Sequence, residues 1–260
     1  MIIYLYNEYH LGDCIMDCIM FHNIKDYIES NDIHIHYSIL EEHINAIKEF
    51  IPSTNIHLQD KFINKGIHTW IANPNIESNY NNLLIHHKIR NIDTIMLLFF
   101  KELLSGLNIP FEITNFIYSN DIDLIYRYNN LPIKYQDIDI LINNCLPRSC
   151  QYKYNIELWD NYITELNKKY KVVTTKKINN INCTLDDNYS VKTIAAISTH
   201  CKVIIAIDSG PIIGFFNNYT LDNVKKVYVF DDIHTFSYNK CINKQNINEI
   251  TFEELDKYIF

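Results

Sequence analysis

The 260-residue chain carries 31 acidic side chains against 23 basic ones, a formal net charge of −8 that excludes the broadly basic surface of a general nucleic-acid binder. Its length suffices for one large or two smaller packed domains, and 47% hydrophobic with 21% charged residues is the composition of a folded chain, not a disordered one. Seven cysteines with no CxxC pair predict reduced thiols, and a start without a basic segment or a long apolar run predicts a cytoplasmic protein with no secretory signal and no integral membrane segment.

In chain order, Met1 to Asn7 predicts an apolar strand. After His10-Leu11-Gly12, a helix follows with Ile15, Met16, Ile19, Met20, Ile24 and Ile28 at three- and four-residue spacing. Ile33 to Leu40 predicts a second strand and Glu41 to Phe50 a helix, with short strands near Asn55 to Leu58 and Ile67 to Ala72. Asp93 to Leu107 predicts an apolar helix stopped by Ser105-Gly106 and Pro110. From Asn115 to Gln136 the pattern weakens into polar, Asn- and Tyr-rich sequence, and a strand starts afresh at Ile138 to Ile142.

That break predicts one domain over 1–130 and a second over 131–249, with a terminal helix over 250–260 marked by Thr251 and Glu254 in capping-box spacing. The second half repeats the alternation: a helix from Ile156 to Lys169, a strand from Lys171 to Thr175, a helix from Ser190 to Thr199, a strand from Val203 to Ile207, a short helix after Pro211 and a strand from Lys226 to Phe230. Alternating β and α elements predict two Rossmann-like, doubly wound α/β domains.

Three constellations bear on chemistry. Val203 to Ile207 is apolar throughout, as a strand covered on both faces requires, and it ends in Asp208-Ser209-Gly210-Pro211, whose small and capping residues suit a turn with N–H groups aimed at an anion. A capped helix start with no ligand fits the same residues. Asp13, after Gly12, fits either a helix N-cap or a carboxylate at the sheet edge that accepts a proton from a hydroxyl. Arg148 and Lys153 lie in the loop after the first strand of the second half, suited to a diphosphate or to solvent. Cys14, Cys18 and His22 share a helical face that also carries core residues, and neither His34/His36 nor His86/His87 has a third ligand nearby, so no metal site is expected.

Two of these motifs carry a family resemblance. The segment LGDCIMDCIM, with Gly12 and Asp13, and the segment SVKTIAAISTHCKVIIAIDSGP, with Asp208, Ser209 and Gly210, make the chain resemble glycosyltransferase family 9, the heptosyltransferase-like enzymes of the GT-B fold. The resemblance implies two Rossmann-like domains facing a cleft, with a nucleotide-sugar donor held mainly by the second. It implies Asp13 as catalytic base beside the matched Gly12, Asp208, Ser209 and Gly210 as the donor turn, and Lys153 as the basic residue of a donor loop; the charge of that loop, read by itself, adds Arg148 to the expected binding set. The implied activity is inverting, metal-independent transfer of a sugar to a hydroxyl of a glycan, lipid or protein, without a cofactor beyond the donor.

The chain departs from the family pattern at Ile213, where a histidine is usual, at the loosely matching Lys153-Tyr154-Asn155-Ile156, and in lacking a proline in its first helix. Ile213 motivates a rival reading, a nucleotide-binding or scaffold protein of the same fold without turnover. A sugar-nucleotide epimerase is a third.

Overall fold

The computed structural model describes residues 1–69, 101, 103–110, 121–147, 152–231 and 245–258. The chain divides into two compact units, Met1–Phe116 and Ile117–Phe260. The expected helix of 93–107 lies outside the described residues except at its carboxyl end, as do the end of the strand expected over 67–72, His86 and His87, and Arg148.

The first unit is built from strand β1 (Ile2–Asn7), helix α1 (Leu11–Ser30), β2 (His34–Ile39), helix α2 (Glu41–Ile47), β3 (Ile56–Leu58) and β4 (Ile67–His68). Its four strands are all parallel, in the order β3-β2-β1-β4. The repeated segment Asp13 to Met20 explains why α1 sits where it does: residues 14 to 21 are all buried, whereas beyond them burial narrows to Ile24 and Ile28 on one side. A helix apolar all round must be enclosed at that end, and a one-sided helix can meet water. Residues 103–106 are helical, and the stop is Asn108 in the left-handed region (φ 56), with Ile109 N–H donating to Leu104 O, so Gly106 is not the terminating residue.

The second unit holds helix α3 (Asp121–Asn129), β5 (Ile140–Asn143), α4 (Ile156–Asn167), β6 (Val172–Thr174), β7 (Asn182–Cys183), α5 (Val191–Ser198), β8 (Val203–Ile207), a 3-10 turn (Gly210–Phe215), α6 (Asn218–Asn223), β9 (Lys226–Phe230), β10 (Ile247–Glu249) and α7 (Phe252–Tyr258). Its six strands are all parallel, in the order β10-β9-β8-β5-β6-β7. Trp159 and Ile163 of α4 pack with Ile140, Ile142, Ile205 and Phe230 of the sheet and with Leu255 of α7. Asn155, Ser190 and Asn217 cap α4, α5 and α6 by accepting from Leu158, Thr193 and Thr220 N–H.

Helix α3 falls in the stretch where the sequence pattern weakens, and it belongs to the second unit, so the division lies ahead of the expected 130/131 boundary. Two contacts to the rest of the unit fix it there, and an ion pair inside the helix, Arg127 with Asp123, steadies one of them. Lys192 of α5 pairs with Asp123 at 2.6 Å, Arg127 pairs with the same carboxylate at 3.2 Å, and the Tyr128 ring stacks on His200 with centroids 3.7 Å apart and 6° between planes. No helix among the described residues is long and apolar enough to cross a membrane.

Candidate functional site

In a parallel sheet all carboxyl ends lie along one edge, and ligands bind where the strand order reverses. The reversal falls between β1 and β4 in the first unit and between β5 and β8 in the second. Each point carries a hydrogen-bonded polar cluster, and both clusters start from the asparagine that ends the unit's first strand.

In the first unit Asn7 Nδ2 donates to Asp17 Oδ2 at 2.7 Å and to Thr69 Oγ1 at 3.1 Å. Thr69 Oγ1 donates onward to the same Asp17 oxygen at 2.8 Å, and Tyr37 OH of β2 does so at 2.5 Å. Asp17 is fully buried, and burial pushes its carboxyl up to about 7 against the pull of those three donors.

Asp13 stands one turn earlier on α1. The N-cap is His10, not Asp13, which occupies the third helical position and reaches back so that its Oδ2 accepts the His10 N–H at 2.9 Å. Asp13 is half-buried, and desolvation lifts its carboxyl from 3.8 to about 6, opposed by the His10 N–H. A carboxylate that binds its proton more tightly than a surface acid, yet is ionised at neutral pH, has the affinity of a general base. Gly12, beside it, is buried.

In the second unit Asn143 ends β5. Its Nδ2 donates to Ser209 Oγ at 2.9 Å and to Ile207 O at 3.2 Å, while its Oδ1 accepts from Thr175 Oγ1 at 3.0 Å. Asn144 Oδ1 accepts from Lys176 N–H at 2.7 Å and Thr175 N–H at 3.2 Å. The turn after β8 is therefore held from below by side chains of β5 and of the segment after β6.

The Asp208 to Pro211 turn is tighter than a helix start. Asp208 N–H donates to Phe230 O, Ile212 N–H donates to Ser209 O, and proline has no N–H to give, so the turn presents fewer N–H groups than the sequence suggests. Ser209 does not cap. Its hydroxyl accepts from Asn143 and donates to Ile207 O. Asp208 and Ser209 are buried and Gly210 is half-buried.

Lys153 is exposed just before α4, and Arg148 lies outside the described residues. A cation the sequence reading passed over, Lys176, follows β6 at the same edge, with its ammonium 5.5 Å from the centre of the Tyr154 ring. Ile213 is buried in the core. Cys14 and Cys18 are fully buried, and burial holds the Cys14 thiol well above its ordinary value. Asp17, Asn7, Asn143 and Thr175 were not predicted as site residues.

Each unit is built on a parallel α/β sheet, and in fold the chain is similar to solved glycosyltransferases. The chain is similar to the solved structure of a family 9 glycosyltransferase from Veillonella parvula DSM 2008, with a TM-score of 0.54 and 13% identity over 98% of this chain and 87% of that one. It is similar to the E. coli heptosyltransferase WaaC with ADP (TM-score 0.55, 10% identity, 88% of this chain and 87% of that one) and with ADP-2-deoxy-2-fluoro heptose (TM-score 0.51, 10% identity, 88% of each chain). No family model and no curated protein sequence matches the chain. The likeness is one of fold, and in that respect the resemblance drawn from LGDCIMDCIM and IDSGP agrees with it.

Proposed function

We propose that the chain is a glycosyltransferase that moves a sugar from a nucleoside-diphosphate donor to an acceptor hydroxyl, with inversion and without a metal ion in the step. The observation that carries this reading is Asp13, a half-buried carboxylate on the first helix after β1 whose affinity for a proton burial has raised. In this reading Asp13 takes the acceptor's hydroxyl proton as that oxygen bonds to the anomeric carbon. The bond from that carbon to the diphosphate breaks on the opposite face, and the electron pair leaves with the diphosphate. Its new charge is met by the Ser209–Gly210 peptide and by lysine or arginine from the loops after β5 and β6, with Lys153, Arg148 and Lys176 as candidates.

The WaaC structures hold ADP and an ADP-sugar analogue, so ADP-sugars are the first donors to try. Buried Ile213 favours one alternative, a protein that binds a nucleotide without turning it over. Transfer and donor hydrolysis assayed with ADP-, UDP-, GDP- and CMP-sugars, for wild type and Asp13→Asn, separate the two. The transferase reading expects the variant to keep a nucleotide-induced rise in melting temperature and to lose about 100-fold or more in rate. An unchanged rate in the variant refutes it, and a melting shift without turnover in the wild type selects the alternative.

A further inference from the structure

Asp17 has no part in the transfer just described, yet it is the most enclosed acid among the described residues, with no exposed surface. A buried carboxyl is costly unless its oxygens are bonded, and here side chains from three separate segments, Asn7 of β1, Tyr37 of β2 and Thr69 after β4, converge on one oxygen. That oxygen is connected to the turn that carries Asp13. Asn7, which donates to Asp17, also accepts the Tyr9 N–H on its Oδ1 at 2.9 Å, and the next residue, His10, donates its N–H to Asp13. The path from one carboxyl to the other thus runs through the whole β1–α1 turn. The two acids are also neighbours across a single helical turn, the spacing at which side chains on a helix meet.

We propose that Asp17 is a positioning residue for Asp13: its carboxyl anchors the β1–α1 turn and, when ionised, strengthens Asp13 as a proton acceptor. This rests on the reading of Asp13 as the acceptor-side base. Asp17 is faced by Asn7, Tyr37 and Thr69 from the other segments and by Asp13 and Cys14 on its own helix, with Cys18 beside Cys14 and Tyr37, while Asp13 is faced by His10, Cys14 and Asp17. Asp13 loses its proton first, at about 6, and its charge adds to the burial that delays Asp17 to about 7. Coupling is reciprocal, so above that pH the charge on Asp17 returns the same increment to the proton affinity of Asp13.

The test is a titration of the Asp17 carboxyl carbon by NMR in wild type and in Asp13→Asn. The expected result is a fall of about one pH unit in the Asp17 midpoint when the neighbouring charge is removed. A midpoint that stays put overturns the proposal whether or not a donor is known. Once a donor is found, the ratio of wild-type to Asp17→Asn rates should grow about threefold as pH rises through 7, because a merely structural loss would be the same at every pH. A constant ratio also overturns it. Where Asp17→Asn fails to fold, Tyr37→Phe serves in its place, removing one donor to the ionised form and moving both the midpoint and the rise in rate to higher pH. A coupled pair in a protein that transfers no sugar would refute the transferase reading and leave the paired acids standing.

Discussion

Asn143 joins β5 to the turn after β8 by a 2.9 Å hydrogen bond from its Nδ2 to Ser209 Oγ, across the one place in the second sheet where strand order reverses. Its carbonyl oxygen accepts from Thr175 Oγ1, so one side chain spans three strand ends.

Asn143→Ala should accordingly be among the more damaging single changes in this unit. Asn143, Thr175 and Ser209 are all buried, and truncation removes three hydrogen bonds at once, leaving the Ser209 hydroxyl only Ile207 O and the Thr175 hydroxyl its contacts with Asn144. A loss of about 2 to 4 kcal/mol is expected. Ser209→Ala removes a single hydroxyl and leaves Asn143 bonded to Ile207, so about 1 kcal/mol is expected. Urea denaturation of both variants checks the order, and a Ser209 variant as unstable as the Asn143 variant would refute the bridge.

A contrast between two glycines tests the first sheet. Gly66, just before β4, has φ +113, and a Cβ there would stand 2.1 Å from the Tyr4 carbonyl oxygen of β1. Backbone cannot yield as a side chain end can, so Gly66→Ala should cost about 3 kcal/mol or more and weaken the pairing of β1 with β4. A Cβ at Gly106 meets nothing within 4 Å, and alanine is the better helix former, so Gly106→Ala should be neutral or stabilising by about 1 kcal/mol. Thermal melts of the two variants should move in opposite directions or differ by many degrees.

The pH dependence of stability has a definite sign. Asp13 and Asp17 bind protons more tightly in the folded chain than at their ordinary 3.8, so their contribution is fully present below about 4 and is lost as pH rises through about 6 and about 7. His200 works the other way. Desolvation lowers its affinity, so its contribution is present above 6.5 and is lost as pH falls. Asp17→Asn removes the larger acid contribution, so wild type should gain stability relative to the variant as pH is lowered from about 7 to about 4. A gap in melting temperature that does not change with pH would contradict the burial assigned to this carboxyl.

Elements with a strong period were legible in the sequence. The strand Val203–Ile207 was predicted at the same residues, and α4 and α5 within two residues at either end, because apolar spacing there matches what the sheet buries. Helix α3 was not legible. Only Leu124 and Tyr128 of it are buried while Ile122 and Tyr126 face out, so its apolar residues do not mark one face. Strand β10 was missed for a related reason, being three residues long with only Ile247 buried.

At the site, Asp13 and the Asp208-Ser209-Gly210 turn could be singled out because helix starts and tight turns are written in adjacent residues. Asp17 could not, since it sits in an apolar doublet and its partners are 10, 20 and 52 positions away. Burial turns such an acid from a surface residue into a hub, and no local pattern records it.

The three donors on Asp17 Oδ2 also constrain how this sequence can drift. Asn7, Tyr37 and Thr69 lie as far as 62 positions apart, yet each is needed only because the acid is there. If Asp17 became a small apolar residue, its three partners would lose their common reason to be polar; while it stays, exchanging any one of them leaves a charge short of a donor. Sequences descended from the same ancestor should hold these four residues together or give them up together, a covariation that no single position would reveal.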